Sequence, residues 1–343
     1  MRKAIKPIIT SVTRPALVLL VPLIAIGAAL ALTAAIQAAP HPEAGPAGLS
    51  PTVSPTPTQH PAQGLGPAPC ENGFAGPFPC DDVDFISFLS NMELGAGPGE
   101  EAANLWGWTD PLTGVEYVIF GATDLTAFVD ISDPENPVVI GTLPTETIPS
   151  EKYRDMKVYQ DHAFIVADQN SLHGMQVFDL TRLRDVITPT ATFTATAVYT
   201  GFLDSHNVYI NEDSGYAYVA RTTTPLPAPC SGAIAMVNIQ DPHNPTHAGC
   251  LDYGGLASDS ICVIYHGPDP DYQGRELCLV ASDDDIIVAD VTDKSNPSLI
   301  DQLVYADISR AHNVWVTEDH RFFVSADMND EVFHGFNTRI FIW

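Results

Sequence analysis

The 343-residue chain is long enough for one large or two medium domains, and 45% hydrophobic residues are sufficient for a sizeable core. With 42 acidic against 15 basic residues, it carries a formal charge of −27, which disfavours binding to the phosphate backbones of nucleic acids. The charge indicates an acidic, soluble surface that attracts cations only loosely.

The chain begins with a targeting segment. A basic start is followed by a charge-free apolar run from Ala16 to Pro40. A run of about 20 residues is long enough, at 1.5 Å per residue, to span a bilayer. Residues 1–39 are therefore predicted to be either a cleaved signal peptide or a retained membrane anchor. In both cases the rest of the chain is expected outside the cytoplasm, secreted or at the cell surface, with only this segment contacting the membrane.

Residues 40–69 are predicted to form a disordered linker. They are rich in Pro, Thr, Ser, Ala and Gly, as in SPTVSPTPTQHP, and contain almost no large apolar side chain. Such a composition cannot bury a core, so it is typical of an extended tether. The folded part is predicted to be 70–343.

Six cysteines agree with an exported chain. They occur as three local pairs: Cys70 with Cys80, Cys230 with Cys250, and Cys262 with Cys278. An even count in an exported protein favours disulfides, each stabilising by roughly 2–4 kcal/mol. No C-x-x-C spacing is present, so a zinc or thioredoxin-type interpretation has little support.

One turn motif, D-x-x-N-P, occurs three times between apolar runs. The three segments are DISDPENPVVIGTL, NIQDPHNPTHAGCL and DVTDKSNPSLIDQL, and a degenerate copy lies at Met175–Leu183. Asp and Asn side chains stabilise turns by bonding to nearby backbone, and proline stops the ladder before the next strand. We therefore predict that the motif is the corner between the third and fourth strands of a repeated unit.

The repeated unit predicts the fold class. First strands are expected near Trp106, Asp155, His206, Val263 and His312, at intervals of roughly 50 residues. Four strands at this period, without amphipathic helices, predict an all-β fold: a β-propeller of four-stranded blades with about five visible units. Another all-β stack is the alternative.

The fifth unit, from His312 to Trp343, has neither the corner motif nor a fourth strand. Either Val83–Leu89 supplies the missing strand and closes the ring, or the chain is a fragment truncated at its C-terminus. The second interpretation is favoured.

Several long sequence segments resemble the choice-of-anchor B family of exported bacterial proteins, which are built from LVIVD-type propeller repeats. They include CENGFAGPFPCDDVDFISFLSNMELG, RDMKVYQDHAFIVAD, HGMQVFDLTRLRDV, YQGRELC and VTDKSNP. The resemblance covers nearly all of 70–343 and implies a secreted or surface-attached propeller. It implies no established reaction, and the C-terminal attachment signal of many members is not seen.

Three residues take the same place before the first strands of their units: Asp155, His206 and His312. In a propeller, equivalent positions surround one axis, so these side chains are expected at one channel mouth. Two imidazoles and a carboxylate suit a divalent metal such as zinc or iron, with Asp259 as a further candidate. The favoured alternative is that each side chain bonds one blade to the next.

Other side chains near this mouth are candidate ligand contacts. Arg154 and Arg310 are expected to pair with acids there or to meet an anionic ligand, and pairing is favoured. Trp106 and Trp108 are candidates for stacking on a sugar or peptide, with a core position as the favoured alternative.

His173 and His334 both precede glycine and are interpreted as repeat structure. The acidic clusters at 269–271, 283–285 and 327–331 offer calcium oxygen ligands but lack the spacing of an EF-hand, so exposed turn acids are the favoured interpretation.

These observations favour an exported, non-catalytic binding module whose partner is a protein, peptide or glycan. A metal-dependent enzyme using the Asp155, His206 and His312 mouth, and a structural spacer on its tether, are the alternatives. A G-x-S-x-G elbow is absent from the sequence, as is a phosphate-binding glycine loop.

Overall fold

Strands dominate the described chain, and they arise from short runs rich in Val, Ile, Phe and Tyr. The computed structural model describes residues 66–147, 153–169, 172–187, 190–223, 230 and 232–343. Within these residues the helical elements are a 3-10 turn, Leu180–Asp185, and helix α1, Asp330–Phe333, and neither is long and apolar enough to cross a bilayer. The predicted segment 1–39 and most of the linker lie outside the described residues.

The strands form a short hairpin and then five sheets in chain order. The hairpin consists of β1 (Phe74–Ala75) and β2 (Phe78–Pro79). Sheet 1 is built from β3 (Ala102–Thr109), β4 (Glu116–Ala122), β5 (Leu125–Asp130) and β6 (Val138–Pro144). Sheet 2 is built from β7 (Arg154–Tyr159), β8 (His162–Ala167) and β9 (Met175–Asp179); β10 (Ala191–Thr192) then joins sheet 1, and β11 (Ala197–Tyr199) completes sheet 2.

The next two sheets repeat the same four-stranded antiparallel order. Sheet 3 contains β12 (Asn207–Asn211), β13 (Tyr216–Ala220), β14 (Ile234–Asn238) and β15 (Thr246–Leu251). Sheet 4 contains β16 (Ala257–Ile264), β17 (Glu276–Ser282), β18 (Ile286–Asp290) and β19 (Ser298–Leu303). Sheet 5, as described, contains β20 (Ala311–Val316), β21 (Phe323–Asp327) and β22 (Ile340–Ile342). The predicted all-β fold with a repeating four-stranded antiparallel sheet is confirmed.

Some predicted boundaries were wrong. The fourth unit begins at Ala257 instead of near Val263, because β16 opens with the polar run Ser258–Ser260, which hid the strand. Among the described residues, Val83–Leu89 does not join sheet 5, which was the less favoured alternative; its Phe85 forms an isolated bridge with Ala68.

The D-x-x-N-P motif is the corner between the third and fourth strands, as predicted. In sheet 1, Asp130 Oδ1 accepts a hydrogen bond from Ser132 N at 2.9 Å, and Asp133 Oδ1 accepts one from Glu135 N at 3.1 Å. The same pair of bonds occurs in the corners of sheets 3 and 4. In sheet 2, which lacks the N-P, Asp179 instead caps the 3-10 turn. The side chains that define the motif therefore hold the turn by bonding to the backbone.

The sheets stack face to face, and the central ones are apolar on both faces. In β8, Phe164 and Val166 pack toward sheet 3, whereas Ala163 and Ile165 pack toward sheet 1. Comparable clusters lie between sheets 3 and 4 and between sheets 4 and 5. Packing also brings the first strands together, because β3, β7, β12, β16 and β20 contact one another in chain order.

Sheet 1 receives a fifth strand from a later part of the chain. After leaving β9, the chain returns to place β10 parallel to β6, with Ala191 opposite Gly141. A Cβ on Gly141 would lie 2.5 Å from Ala191 O, so only glycine permits this approach. The unit boundaries in the sequence are therefore not boundaries in space.

All three predicted disulfides form. Cys70–Cys80 closes the hairpin, Cys230–Cys250 ties a loop to β15, and Cys262–Cys278 joins facing residues of β16 and β17. Three disulfides, with no free cysteine among the described residues, are typical of an oxidising, extracytoplasmic compartment.

A buried charge pair fixes sheet 3 against sheet 4. Glu276 Oε1 accepts hydrogen bonds from Asn211 Nδ2 and Tyr218 OH of sheet 3, both at 2.6 Å, and from Ser214 Oγ at 2.7 Å. Its Oε2 lies 2.6 Å from Lys294 Nζ. Burial, together with the neighbouring Glu276 charge, raises the pKa of Tyr218, so this phenol stays a donor.

We predict that Glu276→Ala lowers the free energy of unfolding by about 3–5 kcal/mol, because it leaves the Lys294 ammonium buried without its counter-charge. Glu135→Ala removes an exposed carboxylate and should change stability by less than about 0.5 kcal/mol. Urea unfolding followed by circular dichroism measures both values. Equal effects of the two substitutions would contradict the assigned role of Glu276.

Candidate functional site

The candidate site lies on the first strands, where the five sheets come closest together. Asp155 occupies its centre and is nearly fully buried. Its Oδ1 accepts hydrogen bonds from Asn104 Nδ2 of sheet 1 at 2.8 Å and from Lys157 Nζ at 3.0 Å. Its Oδ2 accepts one from the backbone N of Val208 in sheet 3 at 3.0 Å. One carboxylate therefore connects three sheets.

His206 also connects two sheets. Its Nδ1 lies 2.8 Å from Oδ2 of Asp168, which follows the second strand of sheet 2. Burial acts to raise the pKa of Asp168, but the hydrogen bond and charge of His206 outweigh it and leave that pKa below its usual value. The Nδ1 edge of the imidazole is therefore engaged by the Asp168 carboxylate.

His312 is held within its own strand, with Nδ1 2.9 Å from Asn313 Oδ1. Asp259 connects sheets 4 and 5, as Asp155 connects sheets 2 and 3. Its Oδ2 lies 3.3 Å from Val314 N and 3.4 Å from Asn313 Nδ2. Burial, with a contribution from the charge of Asp155, raises the pKa of Asp259. The two aspartates are thus electrostatically coupled.

The structure does not bring the predicted metal ligands together. Among the described residues, ligand atoms of Asp155, His206 and His312 do not form a group within 4.8 Å of one another. Asp155 and His206 instead bond neighbouring sheets, which is the alternative that the sequence favoured. No preformed site for zinc, iron or calcium is built from these three side chains.

The two arginines differ from each other. Arg310 Nε lies 2.9 Å from Asp283 Oδ1, and Arg221 approaches the same carboxylate from sheet 3 at 3.1 Å, so the predicted ion pairing of Arg310 is confirmed. Arg154 is held differently: burial lowers its pKa, and the nearby Asp124 charge acts to raise it. Its buried guanidinium donates to the carbonyls of Ala122 and Thr123, at 2.9 and 3.3 Å.

Arg154 also contacts an uncharged histidine. Its Nη1 lies 3.1 Å from His173 Nε2, and His173 Nδ1 lies 3.2 Å from the carbonyl of Gly174. Burial and the adjacent guanidinium lower the pKa of His173 to about 3, while burial lowers that of Arg154 to about 10. His173 is therefore structural, as predicted, and neutral at physiological pH.

The remaining predicted residues are engaged by protein donors or lie in turns. Asp330 bonds Arg339 at 2.7 Å, Asp327 accepts from the backbone of Arg310, and Asp269 accepts from the backbone of Asp271. His334 ends helix α1 and is exposed, so it does not occupy the place of His173.

The two candidate tryptophans lie in different environments. Trp108 is buried, stacks on Tyr117 with ring centroids 5.4 Å apart, and donates from Nε1 to Asp161 at 3.0 Å. It is therefore a core residue and no ligand contact. Trp106 is 37% exposed, and Lys157 Nζ lies 4.5 Å from the centre of its ring.

The sequence analysis missed two aromatic residues on the same strands. Tyr209 of β12 and Trp315 of β20 lie with ring centroids 6.4 Å apart, and Trp315 is 56% exposed. Burial raises the pKa of Tyr209 to about 12. Their signal was available, because HNVY and HNVW carry an aromatic residue at the same place.

We call this surface the first-strand face. It runs along the first strands from sheet 1 to sheet 5, and its members are Asn104, Trp106, Asp155, Lys157, Tyr209, Asp259, Asn313 and Trp315. It combines exposed indole rings with amide, carboxylate and ammonium groups.

Known proteins give little help with the chemistry of this face. No family model and no curated protein matches the chain. A functionally unknown protein from Desulfotomaculum acetoxidans is 14% identical, with a TM-score of 0.43, and the match covers 66% of this chain and 63% of that one. A putative 6-phosphogluconolactonase from Bacteroides uniformis is 12% identical, with a TM-score of 0.45 and coverages of 68% and 65%.

A periplasmic gluconolactonase from Pseudomonas aeruginosa is 10% identical, with a TM-score of 0.42 and coverages of 69% and 70%. The chain thus spans less than two thirds of the length of the first two proteins. Similarity at this level says nothing about what the chain binds.

We predict that His173→Gln reduces the acid sensitivity of the fold. Above about pH 6.5 this histidine is neutral in both the folded and unfolded states. As the pH falls toward 3, only the unfolded state takes up the proton, so stability declines by up to about 1.4 kcal/mol per pH unit. Urea unfolding at a series of pH values from 7 downward measures the slope.

The exposed His243→Gln is the matched control and should leave the slope unchanged. Because the substitution itself changes stability at neutral pH, the slopes are compared instead of the absolute values. If His173→Gln shows the same dependence of unfolding free energy on pH as the wild type, His173 is not a buried neutral group in the folded protein.

Proposed function

We propose that the five sheets are blades of a β-propeller and that the chain is a non-catalytic binding module whose first-strand face takes a glycan. The observation that carries the proposal is the exposure of Trp106 and Trp315 on the innermost strands, beside amides and carboxylates that are already held in place.

Two features support the propeller. First strands contact one another in the order in which they occur along the chain, and apolar clusters fill the space between each pair of successive sheets. Side-by-side sheets with adjacent first strands are the arrangement of blades around an axis. The resemblance to the choice-of-anchor B family agrees with this arrangement and stays a prediction.

The polar groups of the face favour binding over catalysis. Asp155 accepts hydrogen bonds from three protein donors, and Asp259 is held by the backbone and a side chain of sheet 5. Carboxylates fixed in this way are poor general bases but well-ordered supports for their neighbours. Preorganised side chains lose little entropy when a ligand binds.

The mixture of side chains suits a sugar. An indole ring offers a flat apolar surface to the C–H face of a pyranose, while amide and imidazole groups bond its hydroxyls. The Nδ1 atoms of His206 and His312, which lie next to the face, are engaged by Asp168 and Asn313, so both imidazole rings are held in place. The formal charge of −27 disfavours polyanionic partners.

A location outside the cytoplasm fits this function. The three disulfides are compatible with an oxidising compartment, and an exported propeller on a tether would meet glycans at the cell surface.

We expect Trp106→Ala and Trp315→Ala each to weaken binding of the best oligosaccharide by at least tenfold, which corresponds to about 1.4 kcal/mol. The reason is the loss of the flat surface on which the sugar ring stacks. An array of cello-, xylo-, chito- and malto-oligosaccharides identifies the probe, and isothermal titration calorimetry of the full chain measures its affinity.

Phe322→Ala is the matched control, since Phe322 is an aromatic residue of similar exposure outside the face, and it should leave the affinity unchanged. If peptides from a library bind and compete at Trp106 while no oligosaccharide does, the glycan proposal fails and the binding surface stands. If neither tryptophan affects any ligand, the surface itself is wrongly assigned.

A further inference from the structure

A bulge in β15 brings two ligand-type side chains together. Pairing with β14 runs from Met236 opposite Gly249 to Val237 opposite His247, so Ala248 is an extra residue. In a regular strand, residues three apart point to opposite faces. The extra residue reverses this relation, and His247 and Cys250 therefore lie on the same side of the strand.

The bulge is held in place by close packing. A Cβ on Gly249 would lie 1.7 Å from the carbonyl O of Lys294, in the corner of sheet 4, so no other residue fits there. Gly249 therefore fixes where the bulged strand meets sheet 4, and with it the position of His247.

The result is a group of three potential metal ligands. The Sγ atoms of Cys230 and Cys250 and a ring nitrogen of His247 all lie within 4.8 Å of one another, and this is the single such group of three among the described residues. In the structure the two sulfurs are joined as a disulfide. A thiolate pair with an imidazole is a ligand set that zinc prefers.

We propose that reduction of Cys230–Cys250 converts this place into a Zn²⁺ site. A dithiol reductant supplies two electrons and two protons, the S–S bond breaks to two thiols, and the reductant becomes a cyclic disulfide. Zn²⁺ then displaces both thiol protons and binds the two thiolates and His247, with water as the fourth ligand. The oxidation state of Cys230 and Cys250 thus determines whether the chain binds zinc.

Access to the site supports the proposal. His247 is exposed and lines a cleft of about 560 Å³ together with Tyr216, Asn238 and Lys294. Its ring has no hydrogen-bond partner in the part of the chain that the structure describes, so it is available to a metal. Cys250 is half-buried and open to a small reductant.

The buried disulfide Cys262–Cys278 is an internal control. Cys262 and Cys278 are completely buried between β16 and β17, so a dithiol cannot reach them in the folded protein. Among the residues that the structure describes, neither they nor Cys70 and Cys80 belong to a group of three ligand atoms within reach of one metal. Within that part of the chain, only the Cys230–Cys250 pair combines access with a third ligand.

The full chain is treated with dithiothreitol under anaerobic conditions, and free thiols are alkylated and located by peptide mass spectrometry. A parallel reduced sample is desalted and titrated with Co²⁺, whose thiolate charge-transfer absorption reports sulfur ligation, and then with Zn²⁺ against a chromophoric chelator. We expect Cys230 and Cys250 to be alkylated while Cys262 and Cys278 stay protected. One equivalent of metal should bind after reduction and none before it.

His247→Ala keeps both cysteines and should weaken zinc binding by at least tenfold, whereas His243→Ala, an exposed histidine of the same sheet, should have no effect. Circular dichroism confirms that each reduced sample remains folded. The proposal is overturned if Cys230–Cys250 resists dithiothreitol as Cys262–Cys278 does. It is also overturned if the reduced protein gives no thiolate–Co²⁺ band, or if His247→Ala binds zinc like the wild type.

Discussion

A sheet that is apolar on both faces cannot remain in water, and this constraint organises the molecule. The alternate side chains of β8 belong to two different cores, one shared with sheet 1 and the other with sheet 3. Each central sheet must therefore be covered on both sides by sheets of the same kind. Because the shared cores align the sheets, their first strands are brought side by side, and the surface proposed for ligand binding is a consequence of core packing.

Polar groups make this stacking specific. An apolar face alone tolerates sliding, but a buried carboxylate that needs several donors accepts only one arrangement of its neighbours. Asp155 takes donors from sheets 1, 2 and 3, and Glu276 takes donors from sheets 3 and 4. The same bonds that set the register between sheets also hold Asn104 and Lys157 beside Trp106, so the exposed indole has a fixed surrounding.

The sequence predicted the strand order, the corner motif and the disulfides, because each of them has a local sequence pattern. These patterns are alternating apolar residues, an Asp or Asn near proline, and cysteines close to each other along the chain. It was not sufficient where the cause was not local. Arg154 satisfies its guanidinium with carbonyls of another sheet, which no spacing reveals. Asp155 and His312 occupy similar places in the alignment, yet a bulge in β20 and different neighbours give them different partners. The position of His247 and Cys250 on the same side of β15 likewise depends on a bulge that only the structure shows.

The return of β10 to sheet 1 has a consequence for how the repeats behave as parts. The outer edge of the first repeat is completed by residues that the chain reaches only after three strands of the second. Cutting or transplanting the chain at the sequence period would leave Val138–Pro144 with an open edge, able to pair with the wrong strand. Sheet 1 therefore takes its fifth strand from the second repeat, and during synthesis this sheet stays incomplete until Thr192 has left the ribosome.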